Sequence, residues 1–180
     1  MLGCRLSTCN LAAQIRWLPQ RDHIFKKSPE QLPYGLSRDA FGHPVLIVTE
    51  GMDAKGRVSG LFMTSFNNQN IIDKFPERRR RLPYWPIKLT PVHPDTKDLL
   101  ELKDKRLMAR EYSYVNSQGS CSIRYDILEP YIPEDPEDAW VLDEESYLKV
   151  TQGRDYSKFQ SKSWRKEEEE SLPPLPESVK

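Results

Sequence analysis

The chain has 180 residues, which fits one domain of ordinary size with flanking segments and is short for two domains and a linker. Hydrophobic residues make up 37% and charged residues 30%, so a core is expected over about two-thirds of the chain. No apolar run approaches the ~18 residues of a membrane-spanning helix. The composition also excludes collagen, coiled coils and disulfide-dense scaffolds.

The net charge of zero hides an asymmetry. Residues 132–180 carry 13 acidic and seven basic side chains, a net of −6, so residues 1–131 carry +6. This pattern predicts a basic body that can meet nucleic acid or another anionic partner. The acidic tail is expected either to keep the protein soluble or to compete for the same basic face.

Cysteine and histidine usage points away from metal chemistry. Cys4, Cys9 and Cys121 lack zinc-site spacing, and the three histidines lie far apart, so no metal and no cofactor are expected. The N-terminus lacks a secretory signal, which favours an intracellular protein, cytoplasmic or nuclear. Residues 1–21 carry three arginines and no acid, so a mitochondrial transit peptide is an alternative.

In chain order, residues 1–31 are interpreted as a basic N-terminal extension, with a short helix as a candidate over 11–17. The β-branched run at 45–49 lies after Gly and Pro and predicts a buried strand. Residues 50–57 are typical of a hairpin loop, and 58–65 is the expected partner strand.

The second half continues with a proline-interrupted basic loop at 75–86, in which a long helix is excluded. Further short strands are expected at 87–89, 99–102, 108–115 and 121–125. Such spacing predicts a mainly β domain over 32–133, a small antiparallel barrel or sandwich. Residues 134–180 are interpreted as an acidic, proline-containing tail with a short helix at 144–150 and disordered ends.

The first candidate site combines His43 with Thr64 and Ser65. If strands 45–49 and 58–65 pair, these residues meet near one end of the sheet, where a histidine beside a hydroxyl can act in phosphodiester cleavage. The alternative is structural: His43 hydrogen-bonds a turn and Thr64 ends a strand.

The second candidate site is a basic and aromatic run. Clustered arginines attract phosphates, and a nearby ring can stack on an unpaired base. The alternatives are a solvated loop, a nuclear-import patch or a site for an acidic partner. The residues are Arg78, Arg79, Arg80, Arg81, Tyr84 and Trp85.

A third candidate lies near the C-terminus, where Pro173, Pro174 and Pro176 form a P-P-L-P motif. Such a motif can adopt a polyproline II helix and dock in the aromatic groove of a protein partner. A plain disordered end is the alternative.

Several blocks resemble the MazF/PemK-like plasmid-maintenance toxins, in the style of a fungal PemK-like relative. The blocks are H-P-V-L-I-V-T at 43–49, L-F-M-T-S-F at 61–66 and K-D-K-R-L-M-A-R-E-Y-S-Y-V-N at 103–116. The likeness covers about residues 33–131. It differs from the family pattern in having His43 for an arginine and in reading Y-S-Y-V at 112–115, where the third block of the family usually has an Asp.

The resemblance implies a small antiparallel SH3-like β-barrel, often dimeric, that cuts single-stranded RNA without metal. Carried over by position, His43, Thr64 and Ser65 would be catalytic. The function expected is therefore an RNA-binding protein or metal-independent endoribonuclease, or a catalytically degenerate relative. The alternative is a non-catalytic interaction module or accessory protein that uses the barrel and the tail.

Overall fold

A computed structural model describes residues 11–27, 36–132 and 140–152. Its strands are β1 (Gln14–Leu18), β2 (His43–Ile47), β3 (Arg57–Thr64), β4 (Tyr84–Pro86), β5 (Tyr114–Asn116), β6 (Cys121–Arg124), β7 (Glu129–Pro130) and β8 (Trp140–Val141). The helices are α1 (Arg21–Lys27), α2 (Ile71–Lys74), α3 (Arg78–Arg81) and α4 (144–152). Single 3-10 turns cover Arg38–Ala40, Lys103–Lys105 and Tyr125–Ile127.

The described strands form one antiparallel sheet in the order β4-β5-β3-β2-β1-β7, with β6 also paired to β3 and β8 to β1. The prediction of a mainly β antiparallel fold is confirmed. Among the described residues the pairing runs from β4 to β7 and does not join these two strands, so it is an open path rather than a closed barrel.

Strand β1 is an interior strand of the sheet, next to β7 at one end of the order, whereas the sequence predicted an extension and a short helix for these residues. It pairs with β2 over four positions and with β7 and β8 on its other edge. Ile15 and Leu18 are fully buried, and the Arg16 guanidinium donates to the Tyr125 hydroxyl at 2.6 Å. Because both faces are covered, β1 shows no polar–apolar alternation, and its arginine is not a solvated charge.

The described part of the C-terminal segment also belongs to the folded body. Strand β8 pairs with β1, and Leu142 and Val150 join the main core cluster. The Ser146 hydroxyl accepts the Glu101 N–H at 2.8 Å. The helix expected at 144–150 is present as α4. The folded body thus includes residues 11–27 and 140–152, which the sequence assigned to an extension and a tail.

The main core lies on one face of β2 and β3 and is closed by α4 and the 87–108 segment. Its fully buried members include Leu46, Leu61, Ile87, Leu100 and Val115. A second cluster, around Val45 and Ile123, fills the other face. Burial of a Leu or Ile side chain contributes about 1.5–3 kcal/mol, so these clusters hold β2 and β3 rigidly in register.

Candidate functional site

A break in strand pairing creates a cavity on the second face of the sheet. Strands β5 and β6 both pair with β3, through Met63↔Val115 and Gly60↔Cys121. From Gly60 to Met63 the chain advances three positions along β3, whereas from Val115 to Cys121 the opposing chain advances six. Residues 116–120 thus contain three residues more than the ladder can pair, and they form a bulge. An open cavity of 810 Å³ lies between this bulge, β2, β3 and β4.

His43 and Thr64 both line this cavity. Strands β2 and β3 pair through Val45↔Phe62 and Leu46↔Leu61, and His43 and Thr64 each lie two residues beyond the last pair of this ladder. Side chains two residues apart on a strand point to the same face, so His43 lies on the face of Val45 and Thr64 on the face of Phe62. The structure therefore brings together the first two residues of the predicted catalytic group.

The hydrogen bonds at these two residues assign complementary roles to them. The His43 Nδ1 atom donates to the Phe41 carbonyl oxygen at 3.2 Å, so the neutral ring presents Nε2 as an acceptor. The Thr64 Oγ1 atom accepts the Phe66 N–H at 3.2 Å, which leaves the hydroxyl proton for donation. A proton acceptor and a hydroxyl donor thus face the same space.

The Ser65 side chain points away from the cavity that His43 and Thr64 line. It is 9% exposed, it does not line the cavity, and its Oγ accepts from Arg110 Nη1 at 2.7 Å. Successive side chains of an extended chain point to opposite faces, which separates Ser65 from its neighbour. In this arrangement Ser65 anchors the end of β3 to residue 110.

The loop that follows β3 is held in an uncommon backbone conformation. Phe66, Asn67 and Asn68 have φ angles of 49°, 58° and 61°, all left-handed. Asparagine tolerates this region, whereas a phenylalanine there is strained. Ring packing offsets the strain, because Phe66 lies 5.3 Å from Phe75 and 5.0 Å from Tyr84 between ring centroids.

These rings form an aromatic ridge, defined as Phe66, Phe75 and Tyr84, which runs from the cavity wall to α3. Phe66 and Tyr84 line the cavity, and Tyr84 stacks on Phe75 with centroids 5.4 Å apart and planes at 19°. Burial raises the pKa of the Tyr84 hydroxyl, which therefore stays protonated at neutral pH. The Arg80 guanidinium lies 4.7 Å from the Phe75 ring centroid and continues the ridge with a cation.

Arg78, Arg79 and Arg80 are exposed on α3, a four-residue helix inside the segment where the sequence predicted a loop. Arg80 also lies 3.6 Å from the Glu77 carboxylate. The three side chains present a basic surface at the far end of the aromatic ridge. This surface is open to solvent and adjoins Phe75 through Arg80.

Arg81 has a different environment from the other three arginines. Its Nε and Nη2 atoms donate to the two Asp95 carboxylate oxygens at 2.8 and 2.9 Å. Its Nη1 donates to the carbonyl oxygens of Phe75 and Pro76. The two side chains are only 11% and 12% exposed, so this bidentate pair joins α3 to the turn that contains Asp95. The Arg81 guanidinium is therefore engaged within the protein and is not available to a ligand.

Trp85 is also separated from the ridge. It pairs with Val115 in the sheet and packs against the main core cluster, whereas Tyr84 beside it faces the cavity. The strand alternation that places Tyr84 at the site therefore turns Trp85 away from it.

No family model, curated protein or solved structure matches this chain. The geometry of the cavity is therefore the basis for a functional assignment.

Sequence reasoning missed several cavity residues. Asn116 pairs with Tyr84 in the sheet, and its Oδ1 accepts the Gln118 N–H at 2.9 Å. An asparagine between an alternating strand and a Ser-Gln-Gly run is a turn signal that could have marked it. Asp39 and Arg57 also line the cavity, and no sequence motif indicates them.

Cys121 lies on the cavity wall but is inert at neutral pH. It is 8% exposed, and its Sγ donates to the Gly60 carbonyl oxygen at 3.3 Å. Burial raises the pKa of the thiol to about 11. A thiol with so high a pKa has almost no nucleophilic thiolate at pH 7.

Two findings apply to the described ranges only. Within 11–27, 36–132 and 140–152 no three His, Cys, Asp or Glu side chains group as metal ligands, and no helix there has the length and apolar character to cross a membrane. The motif of Pro173, Pro174 and Pro176 lies outside the described residues.

Proposed function

We propose that this protein binds single-stranded RNA and cleaves it in the cavity without a metal ion. The observation that carries the proposal is the pairing of an acceptor nitrogen on His43 with a donor hydroxyl on Thr64 in one open cavity. The same two positions carry the resemblance to MazF/PemK-like proteins. We include in the proposal that the sheet is an SH3-like barrel that stays open between β4 and β7, in which β3 connects the β4–β5 pair to the remaining strands.

In the proposed reaction His43 Nε2 takes the proton of the ribose 2′-hydroxyl. The 2′-oxygen then attacks the adjacent phosphorus, the bond from phosphorus to the 5′-oxygen breaks, and that oxygen takes a proton from water. The products are a 2′,3′-cyclic phosphate and a 5′-hydroxyl, and His43 returns its proton to solvent. The Thr64 hydroxyl donates to a non-bridging phosphoryl oxygen as its negative charge grows.

The aromatic ridge and α3 supply the binding surface in this proposal. Bases of a single strand stack on rings without regard to sequence, and arginines bind the phosphates between them. Tyr84 and Phe66 start the path at the cavity, and Arg80 continues it at 4.7 Å from Phe75. The predicted RNA-binding roles of Tyr84, Arg78, Arg79 and Arg80 fit this path. Arg81 and Trp85 do not contact the RNA in this proposal, and they hold α3 and β4 in position instead.

Cleavage is tested with a mixed-sequence single-stranded RNA in excess EDTA. The wild type is expected to yield 2′,3′-cyclic phosphate ends, and His43→Ala and Thr64→Ala to lose about 10²-fold or more of the rate. His23→Ala is the matched control, because His23 is exposed on α1 outside the cavity. Thr96→Ala is the second control, because Thr96 Oγ1 accepts the Asp98 N–H just as Thr64 accepts that of Phe66.

Binding is tested separately with RNA methylated at every 2′-oxygen, which removes the nucleophile. Replacing Arg79 and Arg80 together is expected to reduce the slope of log affinity against log salt by about 1.4, since each phosphate contact contributes about 0.7. Tight binding without cleavage of ordinary RNA would retain the binding proposal and reject the catalytic one. Absence of binding would reject both and favour the interaction module.

The remaining expectations of the sequence stay predictions. They are a homodimer, a protein partner for the proline motif, and a cytoplasmic, nuclear or mitochondrial location.

A further inference from the structure

We propose that Arg57 binds a phosphate group of the RNA strand, at the opposite end of β3 from Thr64. A strand that lies in the cavity at His43 and Thr64 would then be held at a second point, several nucleotides away. This inference deepens the proposed function and depends on RNA binding at the cavity. It does not depend on cleavage, so the two can be tested apart.

Arg57 and Thr64 are the two end residues of β3, and both line the cavity. From 57 to 64 the chain advances seven positions, which corresponds to about 23 Å at about 3.3 Å per residue. Consecutive residues also line the cavity, Met63 with Thr64 and Cys121 with Ser122. Because consecutive side chains of a strand point to opposite faces, the cavity borders the edge of the sheet as well as one face.

The side chain is the part of Arg57 that can meet a ligand in the cavity. Its backbone N–H donates to the Asp53 Oδ1 atom at 2.8 Å, and its carbonyl oxygen accepts the Asp53 N–H, also at 2.8 Å. Both backbone polar groups are therefore occupied in the hairpin turn. Since the residue is exposed, the guanidinium with its five N–H donors is accessible to a ligand.

Arg57 belongs to a like-charged pair. It lies directly opposite Arg124 in the β3–β6 ladder, and like charges in such positions destabilise a sheet. The Arg124 guanidinium donates to both carboxylate oxygens of Asp126. Within the described parts of the chain no carboxylate lies at ion-pair distance from the Arg57 guanidinium, and Asp53 attracts it only from farther away. A bound anion would therefore relieve the repulsion in this pair.

A phosphate of the RNA strand is the anion that fits this position. Arg57 is the one arginine or lysine that lines the cavity in the described structure, and the planar guanidinium matches two phosphate oxygens at once. A stacked strand advances about 3.4 Å per phosphate, so about 23 Å corresponds to about seven steps. A decamer therefore reaches from the Thr64 end of β3 to Arg57.

The test measures the binding of a 2′-O-methyl uridylate decamer over a range of salt concentrations. Arg57→Ala is expected to weaken binding about threefold to tenfold at low salt and to reduce the slope of log affinity against log salt by about 0.7, the contribution of one phosphate contact. Arg57→Lys, which keeps the charge, is expected to retain the wild-type slope. Lys55→Ala is the matched control, because it removes the same charge from an exposed side chain outside the cavity, and it is expected to leave the slope unchanged.

Urea unfolding separates a binding role of Arg57 from a structural one. Because Arg57 faces Arg124, Arg57→Ala is expected to leave the urea midpoint unchanged or to raise it. A marked fall of the midpoint would attribute the weaker binding to the fold and would count against the inference.

A salt slope in Arg57→Ala equal to that of the wild type would overturn the inference and leave the proposed RNA binding intact. An equal loss of slope in Lys55→Ala would also overturn it, since the effect would then come from overall charge. Failure of the wild type to bind the decamer would instead reject the proposed function on which the inference depends.

Discussion

The bidentate pair between Arg81 and Asp95 is expected to fix α3 in place, and Asp95→Ala is expected to destabilise the protein by about 2–3 kcal/mol. Exposed ion pairs contribute about 0–1 kcal/mol, and breaking a buried pair costs about 3–5 kcal/mol. The Arg81–Asp95 pair lies towards the buried end of this range, with side chains 11% and 12% exposed. The carbonyl oxygens of Phe75 and Pro76 still satisfy part of the guanidinium in the variant, which lowers the cost.

The assay is urea unfolding at pH 7, compared with Glu77→Ala as a control. Glu77 also pairs with an α3 arginine, but at 3.6 Å and with side chains more than 60% exposed, so a change below about 0.5 kcal/mol is expected. A loss below about 0.5 kcal/mol for Asp95→Ala as well would show that the pair is only a surface contact.

The same pair predicts a pH dependence. The hydrogen bond from Arg81 holds the pKa of the Asp95 carboxyl below its ordinary value of about 3.9. A lowered pKa in the folded state means that the stabilisation is fully present above the ordinary pKa and is lost as the pH falls through the lowered one. The difference between wild type and variant is thus expected to stay constant above about pH 4 and to shrink below it. A difference independent of pH down to pH 2 would refute the ionic explanation.

Three further predictions concern the sheet. Gly60→Ala is expected to cost about 1–3 kcal/mol in urea unfolding, because the new Cβ would lie 2.3 Å from Val45 Cγ1, while Gly51→Ala, with no atom within 4 Å, is expected to be neutral. In a variant without Cys4 and Cys9, Cys121 is expected to react with iodoacetamide at pH 8 far more slowly in the native than in the urea-unfolded protein. The reason is that at a pKa of about 11 roughly one thiol in a thousand is ionised at this pH. Equal rates in the two states would contradict the burial of Cys121. A fragment of residues 32–133 is expected to show no cooperative melt by circular dichroism, because it lacks β1, β8 and α4, and a two-state melt would show that these elements are dispensable.

Sequence patterns predicted the centre of the sheet because local signals there agree with the tertiary structure. The apolar runs of β2 and β3 flank a polar turn in which Asp53 Oδ1 accepts the N–H groups of Lys55 and Arg57. Once these strands pair, His43 and Thr64 lie at the same end of the β2–β3 ladder, each two residues beyond its last pair. That juxtaposition therefore follows from the patterns of the two strands and the turn between them.

The rest depended on contacts that the sequence does not encode locally. Strand β1 is covered on both faces, so Gln14 and Arg16 do not fall in the polar–apolar alternation by which a strand is recognised in a sequence. The strand expected at 108–115 is reduced to β5, because Ser113 N–H bonds to the Thr90 hydroxyl instead of a neighbouring strand. Four consecutive arginines look equivalent in sequence, and the bonds of Arg81 to the distant Asp95 and to the Phe75 and Pro76 carbonyl oxygens are visible only in the structure.

Because of the bulge between β5 and β6, the residues proposed to carry the chemistry and the residues that shape one wall of the cavity lie on separate segments of the chain. His43 and Thr64 sit on strands locked by the core, whereas residues 118–120 lie outside the ladder, and Gly119, at φ +79°, has open space around the position of a Cβ. Lengthening such a surface segment is inexpensive in free energy, about 0.6 kcal/mol for each doubling. The length and sequence of the cavity wall at 118–120 can therefore change, by natural variation or in a designed library. The strands that carry His43 and Thr64 stay unchanged.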